Sequence, residues 1–123
     1  GKRLEELARH LDRLIKTWRP SVLAIERLFF SKNQKTALAV AEARGAILLT
    51  SSLAGLMVYE YTPLEIKKTV TGDGGADKLQ LEKMVRLSFP ELAERKARDD
   101  VFDAIATAFT CYLKDIRRSS LRI

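Results

Sequence analysis

Two short apolar runs separated by a long alanine-rich stretch constrain this chain more than any other feature. Val22-Leu23-Ala24-Ile25-Glu26-Arg27-Leu28-Phe29-Phe30 is opened by Pro20-Ser21 and closed by Ser31-Lys32-Asn33, and it reads as a buried strand. Leu56-Met57-Val58-Tyr59-Glu60-Tyr61 reads as a second strand. Between them, from about Gln34 to Ala54, Ala, Leu and Val recur at helical spacing, and Gly55 follows as a stop. Strands joined through a helix of that length do not form a hairpin. The crossover lays them side by side in parallel, connected right-handedly, so the fold class is α/β with a βαβ unit.

The flanking segments are helical. Leu4, Leu7, Leu11, Leu14, Ile15 and Trp18 mark an amphipathic helix from about residue 3 to 18, ended by Arg19-Pro20 because the residue before a proline is pushed out of the α region. Thr62-Pro63-Leu64-Glu65 carries an N-cap threonine, a proline at the first helical position and a glutamate completing a capping box, which predicts a helix to about Val70. The glycine-rich turn Thr71 to Ala76 leads to Asp77, a cap for a helix from Lys78 to about Phe89. Its glycines lack the Gly-x-x-x-x-Gly-Lys-Ser/Thr spacing of a phosphate loop. A last helix begins near Asp99, with Val101, Phe102, Ile105, Ala108, Phe109 and Leu113 as its apolar face, and a basic tail follows from Arg117.

At 123 residues and 46% hydrophobic content the chain has room for one core, and a single domain over 1–123 is expected. Lys and Arg number 22 against 16 acids, and a net charge of +6 favours a polyanionic partner such as nucleic acid. The single Cys111 excludes an internal disulfide, and the lone His10 leaves no Cys/His zinc site, so a metal would sit on carboxylates. No apolar run reaches the roughly 20 residues that span a bilayer, and a cytoplasmic location is expected. The chain opens on Gly1 rather than methionine, and a trimmed or partial chain is expected.

Two places carry acids that need a reason. Glu26 interrupts the first apolar run, where it could pair with a neighbouring base or lie at the strand's open end. Asp100 and Asp103 stand at i, i+3 on the first turns of the last helix, where acids also offset the helix dipole. A strand glutamate facing such a pair would form a cluster of like charges that a hard divalent ion resolves. A cation pair held this way can act on a phosphodiester, in keeping with the basic charge.

Four motifs occur in order and spacing: Ala24-Ile25-Glu26-Arg27-Leu28-Phe29 with Lys32-Asn33; Ala43-Arg44-Gly45; Lys67 to Gly72 with Ala76-Asp77-Lys78; and Asp100-Val101-Phe102-Asp103-Ala104-Ile105-Ala106. Together they resemble the bacterial Holliday junction resolvases of the RuvC family, over most of the chain. The resemblance implies a ribonuclease-H-like fold and a homodimer. It implies an enzyme, a crossover junction endodeoxyribonuclease that uses Mg²⁺, two per active site and with Mn²⁺ as a substitute, to hydrolyse phosphodiesters in opposed strands of a four-way DNA junction. A junction branch-migration complex is a further implied partner.

Carried over residue by residue, the resemblance puts the strand glutamate on Glu26 and the two late acids on Asp100 and Asp103, with Asp99 as the alternative one position away. The aromatic that stacks near the branch point falls on Phe29, with Phe30 beside it. The phosphate-handling lysines fall on Lys67 and Lys78, and Lys32 and Lys68 add phosphate contacts. The family's first catalytic aspartate, in a Gly-Ile-Asp-Pro-Gly-like turn, has no counterpart here, so the N-terminal strands of the fold are expected to be missing. Two other readings stand beside this one: a catalytically inactive module that binds branched DNA without cleaving it, and a ribonuclease-H-like nuclease acting on RNA.

Overall fold

The structure is a computed structural model, and it describes residues 1–27 and 33–117. Phe29, Phe30, Lys32 and the whole of the basic tail after Arg117 lie outside the described residues. Contacts divide the chain into two compact units, Gly1–Leu23 with Leu28–Tyr59, and Ala24–Arg27 with Glu60–Ile123.

The first unit holds α1 (Lys2–Trp18), α2 (Gln34–Leu53) and the opening residues of both strands. The α1 and α2 helices pack on each other through a half-buried stripe that includes Leu4, Leu7, Leu11 and Ile15. Asn33 caps α2, its Oδ1 accepting from Lys35 N–H at 3.1 Å and Thr36 N–H at 3.4 Å. Gly55 follows α2 with φ 85°, the left-handed backbone that the expected stop requires. Arg19 leaves the right-handed α region and ends α1, as expected of the residue before Pro20. It adopts φ 47° and ψ 53°, so that its N–H donates to Ile15 O at 2.8 Å and closes α1 before Pro20.

The strands are β1 (Val22–Glu26) and β2 (Met57–Tyr61), adjacent in one sheet. Met57 N–H donates to Ser21 O at 3.0 Å, and Arg27 N–H to Tyr61 O at 2.8 Å. Numbers rise together along both strands, so the pair is parallel, as the α2 crossover demands. The expectation of a buried strand is corrected: Val22 to Ile25 are half-buried, and Glu26 is exposed at the strand's end. A strand is buried only when both its faces and its edges are covered, and the described sheet has two strands.

The second unit contains α3 (Pro63–Thr71), α4 (Lys78–Ser88), a 3₁₀ turn (Pro90–Leu92) and α5 (Asp99–Cys111), which runs on into a π turn (Tyr112–Ile116). Its core is Ile66 and Val70 of α3, Leu81 and Val85 of α4, and Phe102 and Ala106 of α5, with Ala76 and Tyr61. Both expected caps form. Thr62 with Glu65, and Asp77 with Gln80, make reciprocal capping boxes at the starts of α3 and α4. Phe89 meets Phe109 edge to face with ring centres 5.0 Å apart, holding the end of α4 against α5.

Candidate functional site

The capping boxes and the turn between them determine where two lysines stand. Lys67 lies on the inner side of α3 and Lys78 is the first residue of α4. In the turn, Thr71 Oγ1 donates to Lys67 O at 2.6 Å and accepts from Asp73 N–H at 3.1 Å, while Asp73 Oδ1 accepts from Gly75 N–H at 2.8 Å. Gly72 takes φ 82°. At Gly74 an added Cβ would come within 2.8 Å of Leu64 Cδ1, so the turn lies against the exposed end of that side chain, which a larger residue would displace. The glycines thus fold a short, fixed connection between two lysine-bearing helices.

Glu26, Lys67, Lys78 and Asp103 line one cleft of about 220 Å³, together with Pro63, Ile66 and Leu81. Ile66 and Leu81 are part of the core, so the charged groups stand on a rigid apolar floor. Lys78 Nζ lies 4.0 Å from Asp103 Oδ2. Although Glu26 is exposed by area, partial desolvation in the cleft pushes its carboxyl above the usual value, and the negative charge of Asp103 pushes it further. Lys78 and then Lys67 act in the opposite direction. The cleft therefore brings two carboxylates into mutual repulsion with two cations at their margin.

The remaining candidates are placed differently. Asp99 shares a small recess with Lys78, Glu82, Phe102 and Asp103. Asp100 is exposed and lines neither that recess nor the cleft, although its i, i+3 spacing keeps it on the Asp103 side of α5. Neither Asp99 nor Asp100 caps α5, whose N-cap Arg98 makes no side-chain bond. Lys68 is exposed on α3. Thr107 and Thr110, on the same stripe as the acids, are buried and donate back to Asp103 O and Ala106 O, each at 2.8 Å, so they belong to the core. Arg27, next to Glu26, pairs with Glu60 at 3.6 Å and leaves Glu26 to the cleft.

The donor chemistry of the cleft is carboxylate oxygen, which suits a hard divalent cation such as Mg²⁺, an ion that keeps several waters and needs few protein ligands. Among the described residues no group of three or more His, Cys, Asp or Glu stands close enough to hold an ion. Glu26 and Asp103 are the two carboxylates that line the cleft, close enough for the charge of Asp103 to act on Glu26. Neither the apolar floor nor the Arg86–Glu82 pair is announced by any motif; the one local signal is the i, i+4 spacing of those two on α4.

Comparison with known proteins fits this arrangement. The family profile "Crossover junction endodeoxyribonuclease RuvC" matches residues 1–111. The chain belongs to the RuvC family. It is 50% identical over 111 residues to the RuvC of Caldicellulosiruptor saccharolyticus, covering 90% of this chain and 66% of that one. With the RuvC of Brevibacillus brevis it shares 45% over 108 residues, 88% of this chain and 64% of that relative. The chain thus spans just under two thirds of the length of these relatives. The structure of Thermus thermophilus RuvC superposes with a TM-score of 0.80 at 30% identity, over 92% of this chain and 69% of that one. The same protein in complex with Holliday junction substrate gives 0.82 at 31% identity, over 89% and 66%. These likenesses bear out the expected ribonuclease-H-like α/β fold. No described helix is long and apolar enough to cross a membrane.

Proposed function

We propose that this RuvC chain is the greater part of a cytoplasmic endonuclease that resolves four-way DNA junctions by divalent-cation-dependent phosphodiester hydrolysis. The observation that carries the reading is the convergence of Glu26 and Asp103 with Lys67 and Lys78 in one cleft of a RuvC fold. A Mg²⁺ ion would be held by Glu26 and Asp103, with Asp100 one turn away on α5, and Mn²⁺ would substitute. When bound, the cation supplies the charge that polarises a phosphodiester and activates a water. Lys67 and Lys78 bind the phosphate and steady the negative charge that develops on its oxygens during attack. Ile66 and Leu81 supply the buried apolar floor of the cleft that both lysines and both acids line. Phe29 and Phe30 stack on bases at the branch point, and Lys32 and Lys68 contact flanking phosphates.

Resolution of a junction cuts two strands, so it needs two such clefts and a homodimer. The exposed Leu38, Leu49 and Leu53 of α2 support a second copy packing on that helix. A branch-migration complex on the same junction is a further partner. The test is cleavage of a synthetic four-way junction by the complete natural chain. Glu26→Gln is expected to bind the junction and leave it uncut; cutting at the wild-type rate would refute the assignment. A binding module without nuclease activity would instead hold the junction in chelator and never nick it.

A further inference from the structure

Arg86, on the last turn of α4, makes directed contacts to an acid, two backbone carbonyls and a ring. Its Nε and Nη2 donate to Glu82 Oε1 at 3.3 and 3.0 Å, and its Nη1 donates to Leu92 O at 2.6 Å and Ala93 O at 3.2 Å. The guanidinium carbon also lies 4.5 Å from the ring centre of Phe102. Its side chain is 24% exposed and that of Glu82 28%, so the group is largely withdrawn from water. Only a planar fork can serve an acid, two carbonyls and a ring face at once; a lysine ammonium cannot.

Each of these contacts leads to the candidate site. Glu82 lies one turn after Lys78 on α4. Leu92 and Ala93 belong to the connector that delivers Asp99 and the start of α5. Phe102 is buried and is followed immediately by Asp103. The recess lined by Lys78, Glu82, Asp99, Phe102 and Asp103 joins the two sets of residues. Without the guanidinium, nothing else described ties the connector carbonyls to α4 through a side chain.

We infer that Arg86 is a positioning residue: by holding Glu82, the connector and Phe102 together, it fixes the spacing of Lys78 and Asp103 across the site. It touches neither phosphate nor cation. The inference rests on the reading of the cleft as a cation and phosphate site.

The experiment uses the complete natural chain and compares wild type, Arg86→Lys and the milder Glu82→Gln. Mn²⁺ affinity is titrated without DNA, and junction cleavage and thermal melting are measured in parallel. Arg86→Lys is expected to weaken Mn²⁺ binding about tenfold and to lower kcat with the junction KM unchanged. Glu82→Gln is expected to shift both in the same direction by a smaller factor, and it decides the matter if Arg86→Lys does not fold. Variants that melt lower but bind Mn²⁺ and cleave like wild type would show a purely structural role and overturn the inference. A wild type that binds no Mn²⁺ would overturn the functional reading and this inference with it, whereas normal wild-type binding with unchanged variants overturns this inference alone.

Discussion

Lys78 Nζ stands 4.0 Å from Asp103 Oδ2, joining the first turn of α4 to the first turns of α5 at the mouth of the cleft. The lysine side chain is 72% exposed, and an exposed pair of this kind adds little to stability. Its value is electrostatic and local: it offsets the charge of Asp103 and opposes the upward shift of Glu26. Lys78→Gln is therefore expected to change unfolding free energy by less than about 0.5 kcal/mol while cutting junction cleavage about a hundredfold. Denaturant unfolding beside a single-turnover assay separates the two effects; a parallel loss of stability would make the lysine structural.

Glu26 gives the opposite pairing of activity and stability. Its folded pKa is raised, chiefly by desolvation and then by Asp103, so the ionised carboxylate is less favourable in the folded chain than in the unfolded one. The stability this group contributes is fully present below its ordinary value of 4.5 and is lost as pH rises through the raised folded value. Glu26→Gln is accordingly expected to abolish cleavage and raise the melting temperature at pH 7, with the gain absent well below pH 4.5. Because the group is exposed by area, solvent screening keeps that gain under about 1 kcal/mol. Melting curves at several pH values without divalent ions check this, and destabilisation at pH 7 would contradict it.

Much of this was legible in the residues. Thr62 with Glu65 and Asp77 with Gln80 announce their helices through local hydrogen bonds, and the structure contains both boxes. The parallel strand pair follows from connection length alone. What was not legible depends on contacts distant in sequence. The strand that carries Glu26 reads as buried because its residues are apolar, yet exposure is decided by what covers the strand, and Glu26 lies at its open end. Arg86 reads as an ordinary last-turn cation until its reach to Leu92, Ala93 and Phe102 is seen. Nothing in Tyr112-Leu113-Lys114-Asp115-Ile116 announces a π turn.

The acids at the start of α5 make a sharper test. Asp99 lies in the recess beside Asp103, while Asp100 is exposed on the side of α5 that continues toward Thr107. The Asp-x-x-Asp spacing favours Asp100 as the cation's further support. Asp100→Asn is expected to weaken Mn²⁺ binding by about tenfold or more, and Asp99→Asn by much less. Titration of the two variants decides between them, and the reverse order would move the role to Asp99.

The π turn is docked through two polar links whose pH responses differ. Tyr61 donates its hydroxyl to Asp115 Oδ2, and Lys114 Nζ pairs with Glu65 Oε2 at 3.0 Å. Lys114, then the bond from Thr62 N–H, hold the Glu65 carboxyl below its ordinary value. A lowered folded pKa contributes stability that is present above the unfolded value and lost as pH falls through the folded one. Glu65→Gln should therefore cost under about 1 kcal/mol at pH 7, since both partners are about 40% exposed, and that cost should vanish as pH falls below 4.5. Burial and the bond to Asp115 push the Tyr61 hydroxyl well above its usual range, so the stability it contributes is present below its ordinary value of 10.0 and is lost only as pH rises through the raised folded value. Tyr61→Phe is expected to cost about 1–2 kcal/mol at pH 7 and to keep that cost as pH rises to about 9. Chemical denaturation of Glu65→Gln from pH 7 down to 3.5, and of Tyr61→Phe from pH 7 up to 9, tests the contrast. A Tyr61→Phe cost that vanished between pH 7 and 9 would contradict a hydroxyl that remains the donor.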